Sequence, residues 1–266
     1  MPIIIISADA REIEQTIAGK VADQLEYTLL NRQLINEIGT KHHIDPERLN
    51  REMETTPSFF KKLAPSQWRH DLACIEHEVL DRLLAGNTVC HGLGAHLYVR
   101  GVSHAMRIRI LSANNGEARD IALGKGGNPD KSKKSRPAKL QERKKWSMAA
   151  YGCDETELSR YDLVINLDQI DPDEAVKTIT DAAGFRKFQV MTYSMKCLTD
   201  LALTARVNTV LLEVMSDVKV EVRDGSVVVM TRSSNRNKRE KTAKIKELAG
   251  GVEGVNLVEV HVKKRI

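Results

Sequence analysis

Four consecutive isoleucines, Ile3–Ile6, are followed at once by a helical apolar stripe, and no other feature of the 266 residues restricts the fold as strongly. An unbroken β-branched run has no polar face to turn to water, so it predicts a strand that needs apolar cover on both sides. Behind it, Ile13, Ile17, Val21 and Leu25 recur every four residues and form one face of an amphipathic helix. Strand, tight turn and helix in that order open an α/β unit. The run is too short for a membrane span or a signal h-region, and polar Ser7, Asp9 and Arg11 follow it directly. A cytoplasmic protein is expected.

The same alternation continues. Helical patterns pass through Leu34, Ile35 and Ile38, start again at Ile44-Asp45-Pro46-Glu47, and run from Leu72 to Leu84. Strand patterns occupy Thr88–Cys90, ending in His91-Gly92-Leu93-Gly94, then Met106–Leu111 and Tyr161–Leu167. This order favours a largely parallel sheet with a ligand crevice at the carboxyl ends of its strands. Asp171-Pro172-Asp173-Glu174 starts a helix that runs to about Ala183, with Gly184 as its stop. A new pattern follows: a helix carrying Met191, Met195, Leu198, Leu201 and Leu203, strand Val218–Val222, the hairpin signal Asp224-Gly225, strand Val227–Met230, a basic helix to Leu248 and strand Val255–Val260. Two domains are therefore expected, residues 1–185 and 186–266.

Hydrophobic residues make up 41% of the chain, enough for a core in each part. The net charge of +5 is unevenly placed. From Ala122 to Lys145 there are nine basic residues against Asp130 and Glu142, and Arg232 to Lys246 forms a second basic run opposed only by Glu240. Such runs attract phosphates. The basic segment reads most simply as a solvated loop, since Gly124-Lys-Gly-Gly-Asn-Pro-Asp is a turn-rich stretch. Cys74, Cys90, Cys153 and Cys197 lack metal or redox spacing and read as reduced, mostly buried thiols. His42, His43, His70 and His77 suggest a metal, but no third ligand has a fixed spacing, so none is assigned. Trp68 and Trp146 flank cationic stretches and could stack on bases, yet aromatics are only 4% of the chain, which argues against sequence-specific nucleic-acid reading.

Several of these stretches resemble the cytidylate-kinase-like branch of the P-loop nucleoside monophosphate kinases. Ile3–Ser7 with Arg11-Glu12-Ile13 resembles that family's first strand and helix, and Tyr27–Ile35, with Asn31-Arg32, the segment after it. Asn87–Ala95 resembles its second strand and Gly-Arg-Gly-Ala turn, Arg107 and Arg109 lie in the next strand, and Tyr161–Asn166 with Asp173-Glu174-Ala175 resembles its last strand and helix. The similarity covers residues 2–183. The departures fall in the presumed phosphate site: Ser7-Ala8-Asp9-Ala10-Arg11 holds no glycine where backbone amides must approach phosphates, Leu93 replaces the turn's Arg, and Asn31 its Asp. Residues 190–266 are similar to the BON domain, through Val218-x-Val220-x-Val222, Asp224-Gly225-x-Val227 and Gly251-Val252-x-Gly254-Val255. That domain's glycine after the second strand is absent here.

The fold class implied is α/β, a P-loop-kinase-like parallel sheet with flanking helices, followed by a small α+β BON-like domain. Function follows as an expectation: a nucleotide- or phospho-ligand-binding sensor on a degenerate kinase scaffold, with the BON-like part serving a ligand, anionic lipid or protein partner. One alternative is an active CMP/dCMP kinase using ATP and Mg2+, and another is a non-catalytic interaction protein. The resemblance implies as phosphate-binding residues Ser7 and Arg11 at the first helix, Arg32, Arg107 and Arg109 on the acceptor side, and Arg136, Arg143 and Lys144 in a basic lid. No residue is assigned a catalytic role.

Overall fold

The computed structural model describes residues 2–56, 66–112, 129–233 and 237–264, with the side chains of 129–137 and 264 left aside. Five parallel strands form the first sheet: β1 (Ile3–Ala8), β2 (Thr28–Leu30), β3 (Thr88–His91), β4 (Ala105–Leu111) and β5 (Leu163–Asn166), in the order β2-β3-β1-β4-β5. The isoleucine run is the central strand, and all four of its residues are at most 1% exposed. Ile4 and Ile6 face α1 (Arg11–Leu25) and α7 (Pro172–Ala183) through Ile13, Ile17, Val21, Val176 and Ile179. Ile3 and Ile5 face the other layer, built from α2 (Leu34–His42), α3 (Pro46–Glu52), α4 (Ser66–Leu83), α5 (Ala95–Tyr98) and α6 (Pro129–Tyr151). The expected α/β sheet with both faces covered is thus present.

A second sheet follows. Helix α8 (Thr192–Val214) leads into β6 (Lys219–Arg223) and β7 (Ser226–Ser233), an antiparallel pair, and α9 (Lys238–Gly250) leads to β8 (Leu257–Lys264), parallel to β7. The hairpin signal holds for a geometric reason: Asp224 and Gly225 both have positive φ, 53° and 72°, which a two-residue turn matched to strand twist requires. The last strand begins at Leu257, two residues later than the pattern of Val255 suggests.

Two expectations are corrected. The basic segment from Pro129 on is a helix of 23 residues and not a loop, because its distal half carries Trp146, which is fully buried. Residues 113–128 lie outside the described residues. The tryptophans do not present stacking faces: Trp68 and Trp146 are 3% and 0% exposed, and both indole N–H groups donate to Glu52 O, at 3.2 and 2.8 Å. The cysteines are free thiols, with Cys74, Cys90 and Cys153 buried. No helix among the described residues is long and apolar enough to cross a membrane.

Candidate functional site

Register brings the first group of residues together. β1 and β4 pair so that Ser7 sits beside Arg109, near the strands' carboxyl ends. Arg109 is 7% exposed; one guanidinium nitrogen donates to Ser7 Oγ at 2.8 Å, and another forms an ion pair with Asp9. The Asp9 carboxylate, 3% exposed at its side chain, comes from the turn between β1 and α1, where a phosphate loop would present amides. That turn enters α1 through Ala10, which makes no side-chain cap bond.

A second group gathers across the turn after β3. Arg32 Nε donates to Gly92 O at 2.9 Å, and its terminal nitrogen NH1 reaches Asn50 Oδ1 at 3.2 Å and Glu54 Oε1 at 2.9 Å. Arg11 pairs with the same Glu54 oxygen. Burial and the neighbouring Arg11 charge lower the Arg32 pKa. Gly92 N–H donates to Glu14 Oε1 at 2.8 Å, so both polar groups of Gly92 are held by side chains. Glu14 projects from the buried face of α1, and burial pushes its carboxyl up to about 7 despite that amide and the charges of Arg109, Arg32 and Arg143. His91 is 6% exposed, neither ring nitrogen has a hydrogen-bond partner among the described residues, and burial with the Arg32 charge lowers its pKa to about 4.

The lid residues behave differently. Arg143 forks onto Glu155, with its NH2 nitrogen 3.0 Å from Oε2, donates to Met53 O at 2.7 Å, and stacks 4.2 Å over the Trp146 ring. Glu155 also faces His96 at 3.1 Å; burial raises its pKa, but His96 and Arg143 outweigh burial and hold it below the usual range. Lys144 pairs with Asp154 at 2.8 Å, away from the crevice. Arg107 is likewise outside it, tied to Asp162 at 3.1 Å, with Lys187 on the same carboxylate at 2.8 Å. The side chain of Arg136, in the first turns of α6, lies outside the described residues.

Ser7, Arg109, Arg11, Arg32 and Arg143 therefore surround Glu14 or its immediate neighbours, while Arg107 and Lys144 do not. Sequence reasoning overlooked Glu14 and His91. The signal for Glu14 was its place three residues before Ile17 on the apolar stripe of α1, and for His91 its place at the end of a buried strand.

The crevice can be tested against Mg2+ and ATP. A Mg2+–triphosphate needs backbone amides that approach closely and positioned cations that face it. The β1–α1 turn offers neither: it has no glycine, and its own carboxylate neutralises Arg109. The residues of this turn do not fit a Mg2+–triphosphate.

A family model described as the Cytidylate kinase-like family matches residues 3–169. No curated protein matches the chain. Among solved structures, the crystal structure of an uncharacterized protein from Eubacterium ventriosum ATCC 27560 is similar at 15% identity, covering 70% of this chain and 100% of that one, with a TM-score of 0.48.

Proposed function

The chain belongs to the cytidylate kinase-like family, and from that premise we propose that residues 1–185 bind a nucleotide or another phosphorylated small molecule as a sensor that does not transfer phosphate. The observation that carries this reading is the buried Asp9–Arg109 pair. A carboxylate from the chain stands against the arginine that a phosphate would use, so an incoming phosphate exchanges with Asp9 and moves the β1–α1 turn. Glu54, shared by Arg11 and Arg32, supports a second exchange of the same kind. Occupancy then becomes a conformational signal, because ligand and turn compete for one cation. Residues 186–266, read as a BON-like module, would relay or localise that signal through a ligand, anionic lipid or protein partner.

A thermal-shift screen against nucleoside mono-, di- and triphosphates and cyclic dinucleotides, with and without Mg2+, tests the reading. A ligand at 100 times its dissociation constant stabilises the fold by about 2.7 kcal/mol, which is readily visible. Asp9→Asn releases Arg109 and is expected to tighten binding by about tenfold, the effect of removing one competing charge-assisted contact. Coupled assays on CMP, dCMP, UMP and AMP should show no turnover; turnover abolished by Arg143→Ala would replace the sensor by a kinase.

A second reading has its own observation. Arg11, Arg32, Arg109 and Arg143 each have an acidic partner, as in a crevice closed by its own side chains. A screen that stays flat for both the wild type and Asp9→Asn, together with binding to anionic vesicles or nucleic acid that falls steeply with salt, would favour a non-catalytic interaction protein.

A further inference from the structure

Between α2 and α4, the topology assembles donors that sequence spacing did not connect. His42 closes α2, and His77 and Glu78 lie side by side on α4. His42 Nε2 is 3.0 Å from Glu78 Oε1, His77 Nδ1 is 3.9 Å from the same oxygen, and one donor atom from each residue lies within 4.8 Å of the others. We propose that His42 Nε2, His77 Nδ1 and the Glu78 carboxylate form a binding site for a Zn2+-class transition-metal ion that joins α2 to α4.

Three features of the site support this. The first is a carboxylate beside one donor ring. His77 Nε2 lies 3.2 Å from Asp81 Oδ2, an ion-pair distance, and its Nδ1 is buried with no hydrogen-bond partner among the described residues. Arg206 of α8 holds the other Asp81 oxygen at 2.9 Å and fixes the orientation. A carboxylate behind a metal-binding imidazole is the arrangement that raises ligand basicity.

The second is charge. The Lys41 ammonium already stands 2.7 Å from Glu78 Oε1, and its side chain is 58% exposed. The pocket thus holds a cation that is free to swing into water, and a divalent ion replaces it on the same oxygen. His42 then carries its hydrogen on Nδ1 instead of sharing it with Glu78. The third is donor chemistry: two imidazoles and one carboxylate select Zn2+ and its neighbours over Mg2+ or Ca2+, and three protein ligands leave a fourth position for water. In a tetrahedral site with bonds near 2.0–2.2 Å the donors stand about 3.4 Å apart, so small side-chain rotations close the present gaps.

The test uses the full chain, freed of metal by chelation and titrated with Co2+ and then Zn2+. One equivalent of Co2+ should give the visible absorption of a four-coordinate nitrogen/oxygen site, and Zn2+ should abolish it. Asp81→Asn should weaken binding by about 10–100-fold, and His77→Gln by more. Lys41→Ala should tighten binding, an outcome that adventitious binding at surface histidines would not produce. His261→Gln, at an exposed histidine, should change nothing. If His77→Gln fails to fold, the less buried His42→Gln and the Lys41→Ala variant still decide the matter. The proposal is overturned if Co2+ gives no such absorption, if Lys41→Ala leaves affinity unchanged or weakens it, or if the signal survives His42→Gln and is lost in His261→Gln.

Discussion

Glu14 occupies a position on α1 where the helical stripe calls for an apolar side chain, and its carboxyl is raised to about 7, first by burial. The sign of the pH effect follows. Between about 4.5 and 7 the native protein holds a proton here that the unfolded chain has released, so this residue's contribution to stability falls as pH rises through that window. Glu14→Gln keeps an acceptor for the Gly92 amide without the charge. Urea denaturation should show the variant matching the wild type near pH 4 and exceeding it at pH 8 by up to about 3 kcal/mol; equal stability at both pH values would mean that Glu14 is ionised without cost in the fold. The sequence reading passed over Glu14, although an acid on an apolar helix face was the signal for it. The partners of the arginines were not legible: Arg109 finds Asp9 a hundred positions away, Arg32 finds Glu54, and Arg143 finds Glu155. Sequence resemblance pointed to cations for phosphate, but only three-dimensional placement reveals which acids already hold them.

Among the elements, those whose local chemistry is self-sufficient were readable in advance. The start of α7 at Pro172 is specified by Asp171 and Glu174, which form a reciprocal capping box, and the β6–β7 turn by Asp224-Gly225. The turn is sterically closed as well: a Cβ on Gly225 would lie 2.4 Å from Asn256 Nδ2 and 2.9 Å from Gly254 O. Gly225→Ala should therefore cost about 1–3 kcal/mol, from the positive φ and the backbone contact together. A calorimetric melting curve checks this, and a loss near zero would show that the hairpin can shift to make room. Helix α6 was misread because its lysines and arginines resemble a solvated run, whereas the residues that anchor it, Arg143 and Trp146, come late and act through tertiary contacts. Local charge density predicts exposure well only when no distant carboxylate or carbonyl reaches in.

At the scale of the molecule, α8 belongs to two cores. Leu198, Ala202 and Ala205 pack with the layer that covers Ile3 and Ile5, while Val207 and Leu211 pack under the second sheet. Polar contacts follow the same seam: Thr209 Oγ1 donates to Ala73 O at 3.1 Å, and Arg69 donates to Val218 O at 3.1 Å. Composition and turn signals suggested where a second unit starts, but no periodicity states that one helix serves two neighbours. Leu198→Ala, although it lies beyond residue 185, should destabilise the crevice-bearing part by about 2–5 kcal/mol. Denaturation followed through buried Trp68 and Trp146, which report on that part, provides the measurement; an unchanged tryptophan transition would show that the two parts melt independently.

Sharing α8 also sets a timetable for the nascent chain. The layer over Ile3 and Ile5 stays open until Ala205 has left the ribosome, 22 residues after the family-like segment ends at residue 183. At 5–20 residues per second that interval is about 1–4 s, during which the apolar face of α4 is uncovered and available to chaperones.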